Sequence, residues 1–109
     1  EEQTCIMKIL WLGFAEEDLD SIYQFYADNN SRYFANKLYN QILDTADNLI
    51  HSPRMGPIEW DLSEKDEEYR SLLVRKYFKI IYFIENENIY IAAVWDCRQD
   101  PYTNINKIK

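Results

Sequence analysis

Five cations crowd the last third of this chain: Arg70, Arg75, Lys76, Lys79 and Arg98. They alternate with runs of Tyr, Ile, Val and Phe, the residues that favour strands. Arg70 falls on one face of its strand, and Lys79 stands mid-strand between Phe78 and Ile80. A charge there is expensive to bury unpaired, so it must reach solvent, a partner or a phosphate. Arg98 follows the last apolar run directly. The plainer alternative for all five is the solvated face of a half-exposed sheet.

Other chemistry finds less support. His51 is the single histidine, at the expected end of a helix, where an imidazole suits the negative pole of the dipole. No nucleophile or carboxylate pattern accompanies it as a general base. The acids from Glu59 to Glu68 lie on an irregular stretch, where crowded carboxylates signify solvation more often than acid–base work or Mg²⁺ binding. Cys5 and Cys97 show no CxxC spacing, and with one histidine they point to reduced thiols rather than zinc ligands. No glycine-rich phosphate loop, GxSxG elbow or HExxH is present. No cofactor is expected.

The elements that must hold these residues follow from periodicity. Ile6–Leu12 is a short apolar run with Gly13 behind it, a first strand. From Ala15 the period changes, and Leu19, Ile22, Tyr23 and Tyr26 share one helical face. Glu16, Glu17 and Asp18 are placed in its first turn. Asp28-Asn29-Asn30 breaks that helix, and Ser31 is a good N-cap for the next. Phe34, Ala35, Leu38, Ile42, Ala46, Leu49 and Ile50 then keep helical spacing until His51-Ser52-Pro53. So short a connection predicts an antiparallel helical hairpin.

Residues 53–68 read as a solvated, mobile loop, and the pattern beyond is β. Strands are expected over Tyr69–Lys76, Tyr77–Glu85 and Ile89–Trp95, with Asn86-Glu87-Asn88 as a turn. The tail from Asp96 is polar, without a clear pattern. The resulting class is α+β, in the order β-α-α-β-β-β, with the hairpin packed on a small, mostly antiparallel sheet. Leu72, Val74, Ile80, Tyr82, Ile84, Ile91 and Val94 supply the sheet's share of the core.

With 109 residues, the chain suits one domain, with its core at about 7–101. Apolar residues make up 47%, enough for a packed interior. No apolar stretch suits a membrane span, and the start lacks a signal-peptide pattern, so a cytoplasmic location is expected. The net charge of −7 divides unevenly: residues 1–68 hold 15 acids and 5 Lys/Arg, or −10, and residues 69–109 hold 4 acids and 7 Lys/Arg, or +3. The overall field therefore does not attract nucleic acid, although a local basic face remains open.

Several of these segments together carry a resemblance. Tyr69-Arg70-Ser71-Leu72, Tyr77-Phe78-Lys79-Ile80-Ile81-Tyr82 and Val94-Trp95-Asp96-Cys97-Arg98-Gln99-Asp100-Pro101 resemble the C-terminal signature of RelE/ParE toxins. The helix opening Ala15–Tyr23 and the exit Ser52-Pro53-Arg54-Met55-Gly56 are similar to the same family. The resemblance implies the toxin of a bacterial type II toxin–antitoxin, or plasmid stabilization, system, a growth inhibitor neutralised by a cognate antitoxin. ParE-like members act on DNA gyrase; RelE-like members are ribosome-dependent, metal-free endoribonucleases that cleave mRNA.

By motif position, Arg70, Lys79 and Arg98 take the basic catalytic places of the ribonuclease branch, and Tyr102 lies near its tail tyrosine. The pattern departs at Leu72, where RelE-type ribonucleases carry a second strand lysine, and no tail histidine is present. Metal-free cleavage needs a base, an acid and cations for the phosphorane charge. Here no base is evident, so the ParE-like branch, a protein that binds gyrase without chemistry of its own, is the favoured expectation. The ribonuclease is the alternative, and a decayed toxin retaining only antitoxin binding the third.

Overall fold

The computed structural model describes residues 7–98 and Ile108. Strand β1 (Lys8–Trp11) leads into helices α1 (Gly13–Asn29) and α2 (Arg32–Asp47), the latter extended by a 3-10 turn to Ile50. Strands β2 (Arg70–Val74), β3 (Phe78–Glu85) and β4 (Asn88–Asp96) complete the expected β-α-α-β-β-β order. The sheet runs β1-β4-β3-β2 and is mixed. Only β1 is parallel to its neighbour, because the helical hairpin carries the chain back across the sheet before β4 is made.

The helices form where the apolar spacing predicts. Ser31 caps α2, its hydroxyl accepting from the Phe34 N–H at 3.1 Å. Ala35, Leu38, Ile42, Ala46 and Leu49 are buried, whereas Ile50 is exposed. Helix α1 begins at Gly13, two residues before the expected start, so only Glu16 of the three acids lies in its first turn. Asp18 has a different task. On the edge of β4 opposite β3, β1 ends at the Trp11–Ile91 pair, and beyond it Asp18 Oδ2 accepts from the Val94 N–H at 2.9 Å, as a neighbouring strand would.

All seven sheet residues expected in the core face the hairpin. Val74, Ile80, Tyr82, Ile91 and Val94 are buried there, and Leu72 and Ile84 pack against them. A bulge lets β4 serve both faces. Ile81 pairs with Ala93 and Tyr82 with Ile91, which leaves Ala92 unopposed and puts Ala92 and Ala93 together on the far side.

That far side is not the solvated face expected for a half-exposed sheet. Tyr69, Ile81, Phe83, Ala92, Ala93 and Trp95 form a second apolar layer with Leu62 and Ile108. The stretch expected to be a solvated loop therefore contributes: Trp60–Leu62 forms a 3-10 turn that buries Leu62. The strand edges differ as well. Arg75-Lys76-Tyr77 is a turn rather than continuous strand, with Arg75 at φ 56°, and Asn86 at φ 58° opens the last hairpin. Asn tolerates that left-handed conformation readily; arginine does so less.

Candidate functional site

The sheet register separates the three cations singled out in sequence. Arg70 pairs with Tyr82 and Leu73 with Lys79. Residues 70 and 73 are an odd number apart, so Arg70 faces the helix side and Lys79 the far side. Arg98 lies beyond the end of β4, after the Asp96–Phe78 pair. The three therefore do not share one face of the sheet.

Each has its own partners. The Arg70 guanidinium donates to the carbonyl of Gly56 at 2.9 Å and, more weakly, to that of Arg54 at 3.4 Å, with Glu68 at 3.8 Å. Beside it the Tyr82 hydroxyl accepts from the Gly56 N–H at 3.0 Å and donates to the Pro53 carbonyl at 2.8 Å. Together these two side chains tie segment 53–57 to the sheet. Gly56 is needed for space: a Cβ there would lie 2.4 Å from the Ser71 oxygen and 2.8 Å from the Tyr82 hydroxyl. Burial raises the Tyr82 phenol above its usual range, opposed by the Gly56 N–H and by Arg70 and Arg54.

Lys79 meets Glu59, at 2.8 Å between Nζ and Oε1. The glutamate is buried, with a side chain only 8% exposed against 30% for the lysine. Desolvation pulls the Lys79 ammonium down, but the hydrogen bond and charge of Glu59 outweigh it, leaving it above the ordinary lysine value. Glu59, expected among solvated acids, is instead the counterion that makes Lys79 tolerable in this layer.

Arg98 belongs to an aromatic pole. It forks onto Asp96 with both contacts at 3.1 Å, donates to the Tyr26 hydroxyl, and lies over the Tyr77 ring at 4.7 Å. Tyr26 packs edge-on against Phe25, Phe34 and Phe78, and Arg75 covers Phe34 at 5.1 Å. The hydrogen bonds it donates to Asp96 and Tyr26 push the guanidinium further above its already high range, so it stays charged. Phe25 is 57% and Tyr77 44% exposed at this end of the molecule. A cation stacked on exposed rings is well suited to binding a partner, since Arg and Tyr dominate binding hot spots.

Over residues 9–101 the chain matches the family model of the ParE toxin of type II toxin-antitoxin system, parDE. This chain belongs to the ParE toxin family. A solved structure, the chromosomal ParDE TA system from P. aeruginosa, is similar at 22% identity and a TM-score of 0.71, covering 85% of this chain and 98% of that one. At that identity the likeness concerns the fold. No curated protein matches in sequence.

The ParE match embraces Arg70, Lys79 and Arg98, while Tyr102 and Cys5 lie outside the described residues. His51 is exposed beyond the turn that ends α2. Cys97 is a free, exposed cysteine; partial desolvation raises its thiol, with Lys79 opposing and Asp96 and Glu59 adding to the rise. Among the described residues no group of His, Cys, Asp or Glu is arranged to hold a metal, and no helix is long and apolar enough to cross a membrane. Tyr26, Glu59, Tyr82 and Asp96 were not foreseen as partners. One signal existed: a lysine inside an apolar strand demands a counter-charge, although nothing in the sequence says which of six acids supplies it.

Proposed function

We propose that this ParE-family toxin is a growth inhibitor that acts by binding DNA gyrase, and that a cognate antitoxin neutralises it. The observation carrying this reading is the dispersal of Arg70, Lys79 and Arg98 over two sheet faces and one end, each committed to internal partners. Phosphoryl chemistry needs cations converging on one developing charge. Residues tied to backbone carbonyls and a buried carboxylate serve the fold instead, and the exposed aromatics around Arg98 supply binding area. The antitoxin is expected to lay an extended or helical segment over apolar and basic surface, ordering as it binds.

The test is inducible expression with and without any small gene found adjacent to it, followed by a supercoiling assay on purified gyrase and transcript mapping. Growth arrest relieved by the neighbour, with supercoiling inhibited and transcripts intact, is the expected outcome. Arg98→Gln makes the discrimination sharper because Arg98 is exposed and its loss spares the core. A ribonuclease relying on it would lose about 10²–10³ in rate, by analogy with oxyanion donors. Ribosome-dependent mRNA cuts that vanish in this folded variant would favour the ribonuclease, acting in the cytoplasm on ribosome-bound mRNA.

A further inference from the structure

Arg75 and Lys76 are exposed and have no ion-pair partner among the described residues. Arg75 holds φ 56°, a left-handed conformation that an arginine adopts only at a cost, and its guanidinium lies over Phe34. Phe34 touches Tyr26, Tyr26 binds Arg98, and Arg98 covers Tyr77. Arg32 opens α2 two residues before Phe34, and Lys37 lies over the Tyr33 ring at 5.3 Å. Five exposed cations thus meet where α1 hands over to α2 and β2 turns into β3, against the acids Asp28 and Asp96. The net −7 of the chain has the opposite sign. Among the cations three rings face solvent, Tyr33 at 72% exposed joining Phe25 and Tyr77. Beside them a recess of about 460 Å³ opens between α1 and the end of β4, with Ile22 and Phe25 as apolar wall and Ser21 and Arg98 as polar groups.

We infer that this pole holds a short stretch of single-stranded DNA. Cation and ring alternate here as phosphate and base alternate along a strand. Arg and Lys neutralise phosphates and release their counterions, and exposed rings stack on unpaired bases whatever their identity. A duplex keeps its bases stacked inside and would leave the rings idle. An acidic protein segment would engage the cations and leave the rings idle as well. The recess has the size to take a base turned out of the strand. From Arg75 through Phe34 and Tyr26 to Phe25 the contacts run 5.1, 5.4 and 5.0 Å. The pole is therefore only a few nucleotides across, at the low end of about four for single-strand sites. The acidic remainder of the chain repels a longer strand and keeps the contact local. The choice of DNA over RNA rests on the gyrase reading, since DNA is what gyrase handles.

A fluorescent oligo(dT) of about twelve nucleotides is the probe, followed by anisotropy on the full chain at low ionic strength. Binding should weaken with salt, at a log–log slope of about −2 for three contacted phosphates. Arg75→Asn with Lys76→Gln should weaken it about tenfold and flatten that slope by about one. Asparagine accepts the left-handed φ, so the turn survives. Lys8→Gln with Lys65→Gln, an equal change of charge away from the rings, should leave binding within about threefold. Phe25→Ala with Tyr77→Ala changes no charge and should cost about tenfold or more. Equal weakening by the two charge pairs would reduce the effect to general attraction and overturn the inference. So would a ring variant that binds like the parent, a duplex bound as tightly as the single strand, or tighter binding of oligo(rU). A poly-glutamate peptide that displaces the oligonucleotide at equal concentration would assign the pole to an acidic protein instead. The assay contains no gyrase. Absent oligo(dT) binding with supercoiling still inhibited would therefore sink this inference alone, and oligo(dT) binding with supercoiling untouched would sink the gyrase reading alone.

Discussion

Two hydrogen bonds of the Tyr82 hydroxyl, with Gly56 and with Pro53, and the Lys79–Glu59 ion pair help to fix how segment 53–62 lies on the sheet. Tyr82→Phe keeps the ring but removes the acceptor of the Gly56 N–H and the donor to Pro53. A buried group left unsatisfied costs about 1–3 kcal/mol. Urea unfolding should therefore show a lower midpoint with an unchanged slope. Gly56→Ala is expected to be at least as damaging, since its methyl must displace backbone at Ser71.

At Lys79 the asymmetry of burial sets the sign. Lys79→Ala strands a buried carboxylate and should destabilise by up to about 3 kcal/mol, below the range for a fully buried pair because the lysine keeps some water. Replacing both partners, Lys79→Met with Glu59→Leu, should recover much of that loss. The raised Lys79 value adds a pH signature. Its stabilisation is fully present below the unfolded lysine pKa of about 10.4 and disappears as pH rises through the higher folded value. Thermal melts from pH 9 to 12 should fall more steeply for the parent than for the doubly apolar variant.

At the scale of elements, Asp18 shows a helix completing a sheet. Helix α1 supplies an acceptor to β4 where β1 has run out, across 76 positions of sequence. Asp18→Ala should leave the Val94 N–H without an acceptor, at about 1–2 kcal/mol, and Asp18→Asn should retain most of the bond. Native-state hydrogen exchange at the Val94 amide is the direct readout. Protection unchanged in Asp18→Ala would mean that solvent or another group serves that amide. The bulge at Ala92 belongs to the same region, and with it β4 feeds side chains into both apolar layers.

At the scale of the molecule, the charge is divided between the hairpin half, at −10, and the strand half, at +3. The internal pairs Lys79–Glu59 and Arg98–Asp96 neutralise part of the basic half, so the net −7 is concentrated on the helices and the loop after them. Self-repulsion of that kind lowers stability and is screened by salt. The melting temperature should therefore rise between low and moderate NaCl. A flat or falling dependence would show that the ion pairs outweigh the repulsion.

How much was legible in the sequence follows from the range of each interaction. Periodicity is local, so Leu38, Ile42 and Ala46 announced the buried stripe of α2, Ser31 its cap, and alternation the hairpin-facing residues of all three late strands. Family membership was legible too, because five short segments kept their order and spacing. The far layer was not, since what covers its strand residues is Leu62 from an acidic stretch and Ile108 from the tail, neither of which shows periodicity. Nor was the fate of the cations. Sequence left solvent, a partner or a phosphate open for Arg70, Lys79 and Arg98; only strand register, a property of pairs, put Arg70 and Lys79 on opposite faces and brought them to Gly56 and Glu59. Side-chain alternation has a period of two, and the parity of each pairing decides which face a charge must live on.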